Sequence, residues 1–151
     1  MTQTSPGPTN LELRAAIDSD VRLLEALPFS AGLPGKHRQR LARQEAGDVV
    51  YVLAERERAI IGHLLLKWDC PEDTHVRHLT PSCAEIEDFV VDPGSTGQGV
   101  GSAMLEFAVG LCRDRDETRL GLAVGKENSH AWGLYERRGS ELVPGSTHRV
   151  T

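Results

Sequence analysis

Apolar and polar positions alternate along several short segments of the chain, and this period of two predicts strands. The alternation is clearest around Leu11, Leu13 and Ala15. Two longer segments are rich in apolar and β-branched residues, and only residues 56–58 separate them, which predicts a hairpin. The predicted strands cover residues 11–15, 48–55, 59–68, 84–91 and 120–124.

Two other segments place their apolar residues at helical spacing. One face of the first would carry Val100, Met104, Phe107 and Leu111. The second covers residues 128–138, and Gly139 follows it in the position of a C-terminal cap. Shorter helices are predicted after the capping residues 18–20 and over the basic segment 36–43, whose charges we expect to form an exposed face.

The order of these elements is β-α-α-β-β-β-α-β-α-β, with hairpin-linked strands early and helical crossovers late. This order predicts the α/β class, with a mixed, mostly antiparallel central sheet flanked by helices on both faces. Residues 1–10 are polar and contain two prolines, which predicts a flexible leader before a single domain over residues 11–151. A last strand is expected to start at 141–143, although only twelve residues follow Gly139.

Composition narrows the class of protein. A chain of 151 residues suits one domain, and a net charge of −5 argues against a general nucleic-acid binder. No apolar run reaches the ~20 residues of a membrane span, and the first ten residues lack the pattern of a signal peptide. Three scattered cysteines do not form a disulfide framework, so we expect a cytoplasmic protein.

The segment Asp88–Ser102 reads DFVVDPGSTGQGVGS and carries the most chemical information. A strand enters a segment with four glycines in eight residues, 94–101, and a helix follows directly. Glycines let main-chain N–H groups close on an anion, and the helix N-terminus adds partial positive charge. The pattern favours a phosphate-binding turn, although a flexible loop is the alternative. It matches neither a nucleoside triphosphate loop nor a dinucleotide fingerprint.

A second pattern follows about thirty residues later, Asn128-x-x-Ala131-x-x-x-Tyr135-x-x-x-Gly139. Asn128 is placed to cap the helix, and Ala131 and Tyr135 share one of its faces. A helical tyrosine is more often a packing residue than a catalytic one.

Together the two patterns resemble the GNAT superfamily of acetyl-coenzyme A-dependent N-acetyltransferases. The family loop Gln/Arg-x-x-Gly-x-Gly/Ala is matched at Gly99 and Gly101, but its first position is Thr96, which offers a hydroxyl and no cation. Asn128, Ala131 and Tyr135 match the later family residues, whereas Ser140 replaces the usual aromatic. The short segments 86–89 and 135–139 also look like diamine (spermidine/spermine) acetyltransferases.

The resemblance implies an acetyl-coenzyme A site. Main-chain groups of Phe89, Val90 and Val91 would pair with the pantetheine arm beside two splayed strands. Asn128 would fix the arm near the thiol, and Tyr135 would sit beside the sulfur. The residues implied to hold the pyrophosphate are Thr96, Gly97, Gln98, Gly99, Val100, Gly101 and Ser102.

An alkylamine acceptor has a pKa near ~10.4 and must lose a proton before it attacks a thioester. In the layout that the resemblance implies, Glu87 is the candidate base, while Asp88 and Glu85 would bind a cationic acceptor. Mutual repulsion of these carboxylates would raise at least one pKa. Main-chain N–H groups near 89–91 would stabilise the developing oxyanion, and Tyr135 would protonate the leaving thiolate. We expect direct attack in a ternary complex. The alternative is that the carboxylates form an exposed strand face.

Other interpretations stay open. Thr96, Ser140 and the short C-terminal segment are also compatible with an acyl-coenzyme A sensor that does not catalyse. The spacing C-x4-H-x2-H-x4-C over Cys70, His75, His78 and Cys83 has zinc-ligand types, but loop residues of these types are usually unligated, so we expect no metal. The short C-terminal segment leaves the acceptor wall incomplete, so either the acceptor pocket is open on that side or a partner subunit completes it. Dimers are frequent in the family that the chain resembles, and we expect a homodimer.

Overall fold

The computed structural model describes residues 2–4, 10–30, 34–68, 84–117, 120–124, 133 and 149–150. The strands are β1 (Thr2–Thr4), β2 (Glu12–Ala15), β3 (Val49–Arg56), β4 (Ala59–Lys67), β5 (Ala84–Val91), β6 (Leu120–Val124) and β7 (Arg149–Val150). The helices are α1 (Val21–Glu25), α2 (Lys36–Glu45) and α3 (Val100–Asp114). Short 3-10 turns lie at Asp18–Asp20 and Pro93–Ser95.

The seven strands form one sheet in the order β1-β2-β3-β4-β5-β6-β7. Neighbours from β1 to β5 are antiparallel, and β6 is parallel to both β5 and β7. The predicted mixed, mostly antiparallel sheet is therefore confirmed.

The first strand was not expected, because residues 1–10 had been interpreted as a leader. Thr2–Thr4 pairs with residues 12–14 of β2. The outer edge of β2 would otherwise present a row of main-chain donors and acceptors, and pairing with β1 satisfies them. A last strand was expected to start at 141–143, and the described strand at the end of the chain, β7, lies at Arg149–Val150.

Core residues lie on both faces of the sheet because side chains alternate along each strand. Along β3, Val52 and Ala54 belong to one cluster, whereas Tyr51 and Leu53 belong to the other. Helix α3 covers the first cluster with residues that include Met104, Leu105 and Ala108. Helices α1 and α2 cover the second with Leu24 and Leu41. Helices therefore flank both faces, as predicted.

The β3–β4 hairpin has a tighter turn than the three residues expected from the sequence. Glu57 and Arg58 have φ values of 50° and 68°, which suit a two-residue turn whose twist matches that of the strands. Arg56 is consequently the last residue of β3 rather than part of the turn.

An ion-pair network connects β2 and β3 to the start of α1. Arg14 donates to both carboxylate oxygens of Asp20 at 2.7 Å and to Glu55 at 2.8 Å. Burial acts to raise the pKa of Asp20, but the Arg14 guanidinium and the Ile17 N–H lower it overall. The carboxylate of Asp20 thus joins the strands to the start of α1, and it makes no side-chain capping hydrogen bond to that helix.

The prediction that segment 36–43 forms only an exposed face is wrong. His37 and Leu41 of α2 are buried, and Lys36 and Arg40 extend toward Asp88 of β5. These four positions fall on one side of a helix, so the basic segment presents two cations and a histidine to the sheet.

Several predicted features lie outside the described residues: most of the 128–138 helix, the 141–143 strand and the four Cys and His residues of the 69–83 loop. Within the described part of the chain, no helix is long and apolar enough to cross a membrane. The same part contains no group of three His, Cys, Asp or Glu residues that could hold a metal.

Two glycine-to-alanine substitutions test the packing between α3 and the sheet. A Cβ at Gly62 would lie 2.9 Å from Met104 Sδ and 3.1 Å from the Val90 carbonyl oxygen. We expect Gly62→Ala to lower the free energy of unfolding by about 1–3 kcal/mol.

Gly110→Ala is the matched control, because a Cβ there meets nothing within 4 Å and the residue lies inside α3. It should raise stability by about 0.5–1 kcal/mol. Denaturant unfolding measures the free energy of unfolding of both variants. Equal changes in the two would contradict the close contact between Gly62 and Met104.

Candidate active site

Strand β5 contains a bulge at Asp88. From His63 to Leu65 on β4, the partners on β5 move from Val90 to Glu87, so β5 uses one more residue than β4. Asp88 has a φ of 51°, in the left-handed region that non-glycine residues rarely adopt. A bulge redirects side chains, and here it turns the Asp88 carboxylate toward α2.

Two cations from α2 surround that carboxylate. Arg40 Nη1 donates to Asp88 Oδ2 at 2.6 Å, and Lys36 Nζ lies 3.7 Å from the same oxygen. Burial acts to raise the pKa of Asp88, but the positive charges nearby outweigh it and the pKa lies below its usual range. Asp88 is therefore an anion at neutral pH, and its charge is compensated inside the protein.

His63 supports the bulge from β4. Its ring is completely buried, with Nδ1 3.2 Å from the Asp88 carbonyl oxygen and Nε2 2.8 Å from Ser30 Oγ. Burial, together with nearby cations, lowers the pKa of His63 to about 4, although Asp88 opposes this shift. The ring is then neutral at pH 7. Because a carbonyl can only accept, Nδ1 carries the proton and Nε2 accepts from the serine hydroxyl.

A buried tyrosine completes the network. Tyr51 accepts a hydrogen bond from Arg40 Nη1 at 3.2 Å, and its hydroxyl lies 2.8 Å from His37 Nδ1. Burial raises the pKa of Tyr51 to about 12 and lowers the pKa of His37. The neutral tyrosine therefore donates to the neutral imidazole, and this arrangement fixes the direction of the Arg40 guanidinium.

The predicted acidic residues of β5 lie on the face covered by α1 and α2. Glu85 and Glu87 pair with Lys67 and Leu65 of β4, and Leu65 belongs to the core on that face. Lys67 Nζ lies 3.4 Å from Glu87 Oε2. Glu85 is 2% exposed, whereas the Glu87 side chain keeps 32% of its exposure. Glu87 is thus the more accessible of the two carboxylates.

The β6-facing edge of β5 changes at the bulge. Parallel pairing joins residues 84–87 of β5 to residues 120–123 of β6. Among the residues that the structure describes, Val90 and Val91 pair with β4, and the β6 pairing of β5 ends at Glu87. A strand edge of this kind suits pairing with an extended ligand, and the role of residues 89–91 toward the pantetheine arm stays a prediction.

The glycine-rich turn follows the same end of β5. Gly97 and Gly99 have φ values of 79° and 80°, and a Cβ at either would meet nothing within 4 Å. Glycine is therefore needed for its backbone conformation, and the space beside the turn is open. Gly99 begins α3 without a side-chain cap, so the first amides of the helix keep N–H groups for an anion.

Two polar side chains of the turn make local contacts. Thr96 Oγ1 donates to the Pro93 carbonyl oxygen at 3.0 Å, and Gln98 Oε1 accepts from Arg56 Nη1 at 2.6 Å. The Thr96 hydroxyl proton is thus already used within the turn, while Gln98 links the turn to the end of β3.

The predicted site residues divide into two groups. Residues 85–91 lie on β5, and residues 96–102 lie in the turn and the helix start that follow its C-terminal end. Asn128 and Tyr135 lie outside the described residues. Sequence patterns did not reveal Arg40 and His63 as neighbours of Asp88, nor Tyr51 and Ser30 as the hydrogen-bond partners of these two residues. A histidine inside the apolar segment 59–67 and the helical spacing of Lys36 and Arg40 were the available signals.

The sequence model of the acetyltransferase (GNAT) family matches residues 19–139. The chain belongs to this family. A mycothiol acetyltransferase of Beutenbergia cavernae is 41% identical over 70 residues, which cover 45% of this chain and 23% of that protein. The matched segments span less than half the length of the curated relatives.

Solved structures show the same fold. A ribosomal-protein-alanine N-acetyltransferase from Brucella melitensis has a TM-score of 0.62 at 20% identity, with 84% of this chain and 82% of that chain covered. The Salmonella typhimurium protein yncA, solved with its cofactor acetyl-CoA, has a TM-score of 0.65 at 17% identity, with coverage of 87% and 79%. At these identities the likeness concerns the fold alone, which confirms the predicted class.

The buried His63 makes stability depend on pH. Its pKa is near 6.5 in the unfolded chain and about 4 in the folded protein, so the unfolded state binds more protons between these values. The contribution of His63 to the free energy of unfolding is therefore fully present above pH 6.5. It falls by about 3 kcal/mol as the pH drops toward 4.

Urea unfolding at steps from pH 7.5 to pH 4 measures this loss in the wild type and in His63→Gln. In the variant, the free energy of unfolding should depend clearly less on pH. The dependence that remains is due in part to His37, whose pKa is also lowered. Identical slopes would show that His63 does not titrate as described.

Proposed function

We propose that the protein transfers the acetyl group of acetyl-coenzyme A to a primary amine. The observation that carries the proposal is the junction of β5 and α3. There β5 has no β6 partner after Glu87 among the described residues, and two glycines with positive φ and open space beside them lead into the helix. An extended thioester with a diphosphate at one end suits this junction. Family membership and the acetyl-CoA bound to yncA support the same choice.

The donor supplies an activated acyl carbon, and the chain supplies its placement. Amides of residues 97–102 bind the diphosphate, with α3 adding the partial positive charge of its N-terminus. Main-chain groups of Phe89–Val91 pair with the pantetheine arm. The bulge at Asp88 lies just before this edge, so the network of Arg40 and His63 keeps the arm and the acidic strand in register.

The acceptor amine must be deprotonated before it attacks. Glu87 is the proposed base because its carboxylate is more exposed than that of Glu85 on the same face of β5. Glu87 Oε2 lies 3.4 Å from Lys67 Nζ. In the proposed reaction Glu87 accepts the proton directly or through a water molecule.

Glu85 and Asp88 remain predictions as acceptor-binding residues. Glu85 is buried, and Asp88 would have to exchange Arg40 for the amine. Asn128 and Tyr135 also remain predictions, the first as a contact of the donor arm and the second as the acid that protonates the leaving thiolate.

The acceptor class is a small cationic amine or the amine of a protein. The acidic residues of β5 favour a positively charged acceptor. The Brucella melitensis structure is named for a ribosomal-protein alanine, so an N-terminal amine belongs in the same test. A cytoplasmic location and a homodimer are further predictions, and light scattering tests the second.

Calorimetry with coenzyme A comes first, followed by thiol-release assays with polyamines, amino acids, aminoglycosides and peptides. Saturable binding with turnover of at least one amine would support the proposal. Binding without turnover over the whole panel would favour the acyl-coenzyme A sensor, and absence of binding would refute both.

Glu87→Gln tests the base. The substitution keeps the size of the side chain and removes its ability to accept a proton, so kcat at pH 7 should fall by about 100-fold or more. Glu45→Gln, an exposed carboxamide substitution at the end of α2, is the control and should leave kcat unchanged. An unaffected kcat in Glu87→Gln would assign proton removal to another group.

Tyr135→Phe tests the acid. Loss of the hydroxyl should lower kcat by about 100-fold while the affinity for coenzyme A changes little, because the hydroxyl acts on the leaving thiolate and not on the bound donor. Unchanged turnover would refute this role.

A further inference from the structure

Arg56 lies where β3 ends beside the glycine-rich turn. Its Nη1 donates to Gln98 Oε1 at 2.6 Å, and Gln98 stands between the two left-handed glycines, Gly97 and Gly99. The guanidinium thus contacts the centre of the turn from a different strand. Sequence analysis gave no role to this residue, which had been placed in the hairpin turn.

The remaining nitrogens of this guanidinium have no hydrogen-bond partner within the described part of the chain. Nε and Nη2 of Arg56 are buried and make no hydrogen bond to any part of the chain that the structure describes. Leaving a buried donor of a charged group unpaired is costly, so these nitrogens are available for an anionic ligand. The tight turn of Glu57 and Arg58 fixes the end of β3 and so keeps Arg56 beside Gln98.

The turn itself provides no side-chain cation. The segment 92–102 contains neither lysine nor arginine, and the hydroxyl of Thr96 donates to the Pro93 carbonyl oxygen. The whole chain carries a net charge of −5, which disfavours an approaching polyanion. A diphosphate at this turn therefore needs a local positive charge from outside the segment.

We propose that Arg56 is a binding residue for the diphosphate of the donor, supplying from the β3–β4 hairpin the cation that position 96 lacks. The unpaired Nε–H and Nη2–H form a fork that suits two oxygens of a phosphate group. Gln98 holds the guanidinium at the centre of the turn. The inference rests on the proposed donor site and adds a residue to it.

Calorimetric titration with coenzyme A tests Arg56→Ala against Arg58→Ala. Arg58 is the matched control, because it has the same charge, is exposed and lies two residues along the same hairpin. Loss of a charge-assisted contact predicts binding about tenfold to 100-fold weaker for Arg56→Ala and nearly unchanged for Arg58→Ala. Arg56→Lys should fall between Arg56→Ala and wild type. If Arg56→Ala does not fold, Arg56→Gln removes the charge while keeping a polar group near Gln98.

A donor fragment shows whether the effect arises at the phosphates. Pantetheine lacks the diphosphate, so its affinity should be equal in wild type and Arg56→Ala, whereas inorganic diphosphate should lose affinity with coenzyme A. Equal losses for pantetheine and coenzyme A would overturn the inference, because they would indicate a general disturbance of the site.

Restoring the charge at the other position completes the test. Thr96→Arg in the Arg56→Ala background should recover most of the lost affinity for coenzyme A, and failure to recover any would contradict the assignment. Wild-type affinity in Arg56→Ala would refute the role of Arg56 and leave the proposed donor site unaffected. Absence of coenzyme A binding by the wild type would refute the donor site as well.

Discussion

Asp88 adopts a left-handed backbone conformation within a strand, and the arrangement of the site depends on it. Such a conformation costs about 1–3 kcal/mol at a non-glycine residue and persists only where its surroundings enforce it. Here Arg40 holds the carboxylate at 2.6 Å and His63 binds the carbonyl oxygen at 3.2 Å. These charge-assisted and buried contacts offset the strain, so α2 and β4 determine the path of β5.

The consequences of the bulge extend along β5 in both directions. Before it, Glu85 and Glu87 alternate normally and face α1 and α2, and the strand pairs with β6. After it, the edge at 89–91 is free of β6 among the described residues, and the chain enters the glycine-rich turn. One extra residue thus separates an acidic side suited to a cationic amine from an edge suited to an anionic donor. In the proposed donor site, this division of charge would let a protein with a net charge of −5 bind a polyanion at one end of a strand.

Periodicity was sufficient to predict the elements that bury a face of their own. Strand 84–91 and strand 120–124 have the predicted bounds, and Val100, Met104 and Phe107 are buried on α3 as expected. Strand β1 escaped prediction because its stability comes from the edge of β2 and not from its own apolar residues. The basic segment 36–43 was misinterpreted because charge on a helix usually marks solvent exposure, whereas here the partner carboxylate lies far along the chain in β5.

The site shows the same division between local and distant information. The glycines of segment 94–101 predicted a turn before a helix, and Gly97 and Gly99 have positive φ in that turn. The bulge, by contrast, results from a register shift between β4 and β5, which no local pattern encodes. Arg56 and Gln98 are 42 residues apart along the chain, so their contact also depends on the folded sheet. Spacing therefore revealed the turn but not the side chains that surround it.

The claim on which the account depends is that the end of β5 and the start of α3 together bind the donor. A crystal structure of the protein with coenzyme A tests it most directly. The account predicts diphosphate oxygens about 3 Å from main-chain nitrogens of residues 97–102, with the pantetheine arm along residues 89–91. Coenzyme A bound elsewhere, with the turn making no contact to phosphate, would contradict it.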